Sequence, residues 1–267
     1  MKHLVLVVAL LLCCSCGASA EPTPAPAVTP LPLGAVVDYQ LGGAYAPADD
    51  VTVVVRDRTA AADPDRYSVC YVNTFQTQPG SLGWWKKHHP RLLLRDRKGR
   101  AVRDPGWPDE VLLDLRGDAR RTELAGVLSS WFARCAKDGY RAIEADNLDS
   151  FTRSRKLLTK AQATSMARLM VQAAHRHGLA IAQKNTPEID GRRVGFDFAV
   201  AEECQVYAEC GRYLKSYPGR VVEIEYTDNG RKAYATACAQ RAGQHPILLR
   251  DRDVVPRGAK GYLYRHC

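Results

Sequence analysis

YRAIEADNLDSFTRS, residues 140–154, is a short apolar run that turns acidic: Ala142, Ile143 and Ala145 lead into Asp146, Asn147 and Asp149, with Glu144 inside the run. A solvated loop has no use for the apolar lead-in. A strand covered on both faces does, because successive side chains point to opposite, buried sides. The stretch therefore reads as a buried strand whose carboxyl end presents carboxylates. Seven other runs share the pattern: AVVDYQL (35–41), VTVVVRD (51–57), SVCYVNTF (68–75), LAIAQKN (179–185), FDFAVAEE (196–203), VVEIEYT (221–227) and PILLRDR (246–252). Between several of them lie helical patterns. Residues 119–139 place Leu124, Val127, Leu128, Trp131, Phe132 and Cys135 on one stripe and stop at Gly139. Residues 159–178 repeat the design, with Thr159 as cap, a stripe of Met166, Leu169, Met170 and Ala173, and a stop at Gly178. Parallel-type strands alternating with helices predict an α/β fold, a single (β/α)8 TIM barrel, with the earliest connections short.

Strand after strand ends in acid or amide: Asp38 to Gln40, Asp57, Asn73, Asp146-Asn147, Lys184-Asn185, Glu202-Glu203, Glu225-Tyr226 and Asp251. One such residue is ordinary surface. Eight ends converging on one rim make a pocket, and in barrels of this kind the active site lies at that end. Paired carboxyl groups are the usual tools for cutting a glycosidic bond, one ionised and one carrying a proton. The best pair is Asp146, ending the fourth strand, and Glu202, ending the sixth; Asp149 and Glu203 are the competing choices. The apolar approach FDFAVA favours a protonated Glu202.

The set VDYQLGG, VCYVN, EADNLD, KN, FDFAVAEECQVYAEC and EIEY, in that order from Val36 to Cys267, resembles the glycoside hydrolase family 114 barrels, known as endo-α-1,4-polygalactosaminidases. The resemblance implies a retaining hydrolase of α-1,4-linked galactosamine-containing polysaccharide, with Asp146 as nucleophile and Glu202 as acid/base. Two positions depart from the family: Glu203 stands where Gln is frequent, and Ala201 where Asn is frequent. Around the pair, Asp38, Tyr39, Gln40, Tyr71, Asn147, Asp149, Lys184, Asn185, Glu203, Glu225 and Tyr226 are expected to contact substrate. Lys184 reads equally well as a charge that offsets the acids. Trp84, Trp85, Trp107 and Tyr207 are candidates to stack on sugar faces, whereas Trp131 belongs to a helix stripe. No cofactor or metal is expected, since the cysteines after residue 20 contain no CxxC pair and His175 and His177 point to different sides of a helix.

The amino terminus carries its own signals. Residues 1–20 have Lys2, an apolar run from Leu4 to Leu12 and an Ala18-Ser19-Ala20 end, the layout of a secretory signal peptide cleaved after Ala20. Cys16 offers a lipoprotein anchor as a variant. The run is too short to span a membrane. Residues 21–33, rich in Pro, Ala and Thr, read as a flexible linker, and 34–267 as one hydrolase domain. Six cysteines remain after the leader, an even set that suggests disulfides in an exported chain. One arrangement closes a local loop with Cys204 and Cys210, pins the terminus with Cys238 and Cys267, and ties Cys70 to Cys135.

Lys and Arg total 38 against 29 Asp and Glu, giving a net charge of +9. A cationic galactosamine polymer would be repelled at long range. The reading therefore requires an acidic cleft on a basic surface, effective within a Debye length of ~8 Å. The basic residues are scattered, and export and the acidic rim argue against nucleic acid. The alternative function is a non-catalytic carbohydrate-binding protein on the same barrel, held at the cell wall by its charge. A monomer is the expected state.

Overall fold

The computed structural model describes residues 26–267; the leader over 1–20, the Cys16 anchor and the first part of the 21–33 linker lie outside the described residues. One sheet carries nine strands in chain order. They are β1 (Val37–Gln40), β2 (Val53–Asp57), β3 (Tyr67–Asn73), β4 (Ala142–Asp146), β5 (Ala180–Lys184), β6 (Phe198–Glu202), β7 (Val221–Tyr226), β8 (Ile247–Arg250) and β9 (Tyr264–His266). The first eight pair in parallel, each with the next, and correspond to the eight apolar runs. β9 pairs antiparallel with β8. Its Tyr264 hydroxyl donates to the Val37 carbonyl at 2.9 Å, bringing the sheet's last strand against its first and nearly closing the barrel.

The outer layer is uneven. Helices α1 (Leu82–His88), α2 (Asp118–Lys137), α3 (Ser150–Arg153), α4 (Lys160–Arg176), α5 (Gly191–Val194), α6 (Cys210–Ser216) and α7 (Lys232–Arg241) all follow β3. The β1–β2 and β2–β3 connections have no helix among the described residues. The barrel is the one expected, and its earliest connections, residues 41–52 and 58–66, are short as the sequence suggested. α2 and α4 match the two predicted helices. Thr159 caps α4 through a capping box, its hydroxyl accepting from the Gln162 amide while the Gln162 side chain accepts from the Thr159 amide. Residues 74–117 form an insertion held by bridges such as Gln76 to Leu112 and Arg103 to Val111.

Alternation along each strand divides the core in two. Val37, Tyr39, Val53, Val55, Val69, Ala142, Ala182, Val200, Ile224 and Leu248 fill the barrel interior. Their chain neighbours Cys70, Val72, Ile143, Ala145, Ile181, Ala199, Ala201 and Val221 face the helices. This phase decides which strand-end residue enters the pocket and which does not.

The linker boundary also moves. Leu31 is 0 % exposed within the interior cluster. Its carbonyl accepts from Arg220 at 3.1 Å, and that of Thr29 from the Tyr67 hydroxyl at 2.8 Å. Residues 26–33 therefore belong to the folded unit, because Leu31 buries an apolar side chain that a free spacer would leave in water.

Cys70–Cys135, Cys204–Cys210 and Cys238–Cys267 are bonded, with Cα separations of 6.3, 4.8 and 5.9 Å. These are the three pairings expected. Cys70–Cys135 ties β3 to α2 across 65 residues and spans the insertion. Replacing both cysteines with Ser is expected to cost about 3–4 kcal/mol in chemical denaturation. An unchanged unfolding midpoint would contradict that role.

Candidate active site

At the carboxyl ends of the strands lies a pocket of about 750 Å³. The strands contribute Tyr39, Asp57, Tyr71, Asn73, Asp146, Lys184, Glu202 and Tyr226. The insertion adds Gln78, Asp104, Trp107 and Glu110, and the loop after β8 adds Arg252 and Asp253. Seven carboxylates line it (Asp57, Asp104, Glu110, Asp146, Asp149, Glu202 and Asp253) against three cations (Arg153, Lys184 and Arg252). The acidic cleft on a basic chain is present.

Asp146 is the last residue of β4 and in phase with the interior. Asn147 follows at φ 66°, a left-handed turn that Asn tolerates better than most residues. The turn folds the Asn147 amide back to donate to Asp146 Oδ1 at 2.7 Å, while the Tyr71 hydroxyl donates to Oδ2 at 2.7 Å. Both oxygens of the carboxylate are thereby held in place. Burial, and then the Asp146 charge itself, push the Tyr71 phenol well above its ordinary value, so it stays a donor.

Glu202 ends β6 in the same way, followed by Glu203 at φ 57°. Asn185, itself at φ 49° after β5, holds it from two sides: its Nδ2 donates to Glu202 Oε2 at 3.0 Å and its Oδ1 accepts from the Glu202 amide at 2.8 Å. The Tyr226 hydroxyl donates to Oε1 at 2.5 Å.

Lys184 lies beneath the two acids, 2 % exposed. Its Nζ donates to Glu144 Oε1 at 2.6 Å and to the Tyr39 hydroxyl at 2.8 Å, and stands 3.4 Å from Glu202 Oε1. Burial opposes its charge, but Asp146, Glu144 and Glu202 outweigh that and hold its pKa well above the usual lysine value. With its donors engaged by protein, Lys184 offsets the acids rather than reaching for a hydroxyl.

The expected contact residues sort by strand phase. Tyr39, Tyr71, Lys184 and Tyr226 line the pocket from in-phase strand positions, and Asn147, Asp149 and Asn185 line it from the turns that follow. The Asn147 side chain is occupied by Asn73 at 2.8 Å and Arg153 at 2.6 Å, and Asp149 by Arg153 at 2.6 Å. Asp38, Gln40, Glu203 and Glu225 are corrected to positions outside the lining. Asp38 and Gln40 are buried off-phase: Gln40 Nε2 donates to Asp38 at 2.9 Å and Tyr45 to Asp38 at 2.6 Å, while Arg56 donates to Gln40 at 2.9 Å. Glu203 pairs with Arg252 at 2.5 Å, and Arg252 in turn lies over the Tyr226 ring at 4.1 Å. Of the aromatic candidates, Trp107 lines the pocket with 59 % exposure, while Trp84, Trp85 and Tyr207 do not line it.

Glu225 is buried toward the helices, where the Gln205 amide donates to Oε1 at 2.9 Å and Oε2 has no partner. Burial pushes its carboxyl from 4.5 up to about 7. The fold then holds a proton that the unfolded chain has released, so this contribution to stability is full below pH 4.5 and is lost as pH rises through 7. Glu225→Gln is expected to raise stability at pH 8 by up to about 3 kcal/mol and leave it unchanged at pH 4, as read by urea unfolding. Equal stability of the two proteins at pH 8 would refute the shift.

Among the lining or supporting residues that were missed are Glu144, Asp104, Glu110 and Arg153. Glu144 carried a signal, since it sits two positions before Asp146 on the same strand face. The others come from the insertion and α3, where no apolar period announces an element. Among the described residues the one grouping of metal-ligand type is Cys204, Cys210 and Glu223. Its cysteines are bonded to each other, and Glu223 accepts from Arg241 at 2.8 Å and pairs with His245 at 2.9 Å.

The fold has solved counterparts. Ega3 of Aspergillus fumigatus, crystallised with galactosamine, superimposes with a TM-score of 0.67 at 19 % identity, covering 94 % of this chain and 100 % of that one. The glycoside hydrolase domain of PelA from Pseudomonas aeruginosa gives 0.56 at 16 % identity, covering 84 % and 97 %. A search of curated protein sequences finds no match. Among the described residues no helix is long and apolar enough to cross a membrane. The sequence profile of glycoside-hydrolase family GH114 matches residues 17–267, and the chain belongs to that family of glycosidases.

Proposed function

We propose that the protein is an exported, endo-acting hydrolase of α-1,4-linked galactosamine polymer, working by retention through Asp146 and Glu202. The observation that carries the reading is the single pocket that receives both carboxylates and is lined by seven acids against three bases, on a chain of net charge +9. A neutral sugar has no need of that inversion of charge, and an amine-bearing one does. Ega3, a structural counterpart, was crystallised with galactosamine. Three disulfides support export.

In the first step Asp146 attacks the anomeric carbon. The bond to the leaving oxygen breaks, and Glu202 gives that oxygen its proton. In the second, Glu202 takes a proton from water, the water oxygen attacks the same carbon, and Asp146 departs. Retention needs the two carboxyls ~5–5.5 Å apart. Lys184 lowers the cost of holding two carboxylates close together, and Glu144 and Tyr39 keep Lys184 in place. Digestion of a de-N-acetylated α-1,4-galactosamine polymer is expected to release a ladder of oligosaccharides from internal cuts. Release of single sugars from one end, or no cleavage, would overturn the reading.

A further inference from the structure

Most of the acids lining the pocket are accounted for. Asp146 and Glu202 line the pocket together and are the pair assigned to the proposed reaction. Asp104 and Asp149 both pair with Arg153. Glu110 differs. It comes from the insertion and is 7 % exposed, and it has no ion pair, a lack it shares, Asp146 apart, only with the more exposed Asp57 and Asp253 among the lining acids. Its Oε2 is saturated by two amides, Asn73 Nδ2 and Gln76 Nε2, each at 2.8 Å. Its Oε1 receives no hydrogen bond from the protein. The two amides fix the carboxylate in one orientation, and Val111, next in the chain, is anchored by Thr77, whose hydroxyl accepts from the Val111 amide at 2.9 Å. A buried, rigidly held carboxylate with one free oxygen and no counter-ion is costly unless a cation comes to it.

Its position says which cation. Asn73 joins Glu110 to the reaction centre: it sits beside Asp146 in the β3–β4 register, and its Oδ1 accepts from Asn147. Asp146 is also close enough to raise the proton affinity of Glu110, after burial, which is the larger cause. In a 2-amino sugar the amine is on the carbon next to the anomeric carbon, the atom that Asp146 attacks. We infer that Glu110 is the ammonium-binding residue of the pocket, accepting from the protonated 2-amine of a sugar through its free Oε1 and so selecting free amines over N-acetyl groups. An acetamide in that place presents an uncharged N–H and a bulky acyl group, and leaves the buried carboxylate without its charge partner.

The inference rests on the proposed substrate, and its test separates the two. Affinities of wild type and Glu110→Gln for α-1,4-galactosamine oligomers and for their N-acetylated counterparts are measured by calorimetry, and turnover of the oligomers is followed in parallel. Glu110→Gln keeps shape and an acceptor for the amides of Asn73 and Gln76. It is expected to weaken binding of the free-amine oligomer by ~10- to 100-fold, the value of one buried charge-assisted hydrogen bond. Binding of the N-acetylated oligomer should change less than about threefold, so the comparison of two ligands on one variant excludes a folding defect. If wild type cleaves the free-amine oligomer but Glu110→Gln keeps the preference for it, the ammonium site is wrong and the substrate reading stands. Strong preference for the free amine, lost in the variant but without cleavage by wild type, supports the site and overturns the hydrolytic reading. No preference by wild type overturns the site.

Discussion

Asp146→Asn is expected to lower kcat on the galactosamine polymer by on the order of 10⁴-fold or more, with little change in KM, because a nucleophile acts only on the way to the transition state. The amide would keep the size of the carboxylate and stay within reach of the Tyr71 hydroxyl and the Asn147 amide. It would have no charge with which to attack. Glu202→Gln should cost ~10²- to 10⁴-fold on the same polymer, the range for a lost general acid. The two losses separate on a substrate with an activated leaving group, such as an aryl galactosaminide. That leaving group needs no proton, so Glu202→Gln should recover its first step, seen as a burst of released phenol, and Asp146→Asn should not. Near-normal turnover by either variant on the polymer would remove the corresponding role.

The second large effect falls on stability. Lys184→Met is expected to destabilise the protein by about 3–5 kcal/mol, the usual consequence of removing one member of a buried ion pair. Lys184 is 2 % exposed and its partner Glu144 is 0 % exposed, so a lone Glu144 carboxylate would have no route to water. Burial already pushes the Glu144 carboxyl up against the pull of Lys184. The stabilisation from Lys184, whose pKa is raised, is complete below the unfolded lysine value and is lost only as pH climbs through the folded one, in strongly alkaline solution. The double variant Lys184→Met with Glu144→Gln should recover much of the loss, since it removes both charges together. Urea unfolding of wild type and the two variants at neutral pH decides the matter; a single variant as stable as wild type would show that the pair is not an energetic unit.

The barrel was legible because burial on both faces writes itself into the chain. Runs such as VTVVVRD and PILLRDR need no alternation to be strands, only a near-continuous apolar stretch with a polar end. The carboxyl-end acids were legible for the same reason: the polar end is where the run leaves the core. What went unread was phase. Glu225 and Tyr226 are neighbours in sequence, yet Tyr226 reaches Glu202 and Glu225 turns toward the helices. Counting by twos from Asp146 marks Glu144, and from Glu202 marks Val200, as interior, and the same count along β1 keeps Tyr39 and rejects Asp38 and Gln40. The insertion was opaque for a different reason. Residues 74–117 are held by isolated bridges and by side-chain bonds such as Gln76 and Asn73 to Glu110, with no period to detect. β9, three residues long and mostly exposed, carries no apolar signal; the Cys238–Cys267 bond and its pairing with β8 hold it.

The central claim is that Asp146 becomes bonded to sugar during turnover. The measurement that reaches it most directly is trapping with a fluorinated α-galactosaminyl fluoride, which leaves readily but slows the second step, followed by peptide mapping of the labelled protein by mass spectrometry. The account predicts one sugar per chain, carried by the peptide containing Asp146, in wild type and in Glu202→Gln. A label on Glu202, or continued hydrolysis of the fluoride with inversion and no labelled peptide, would contradict it.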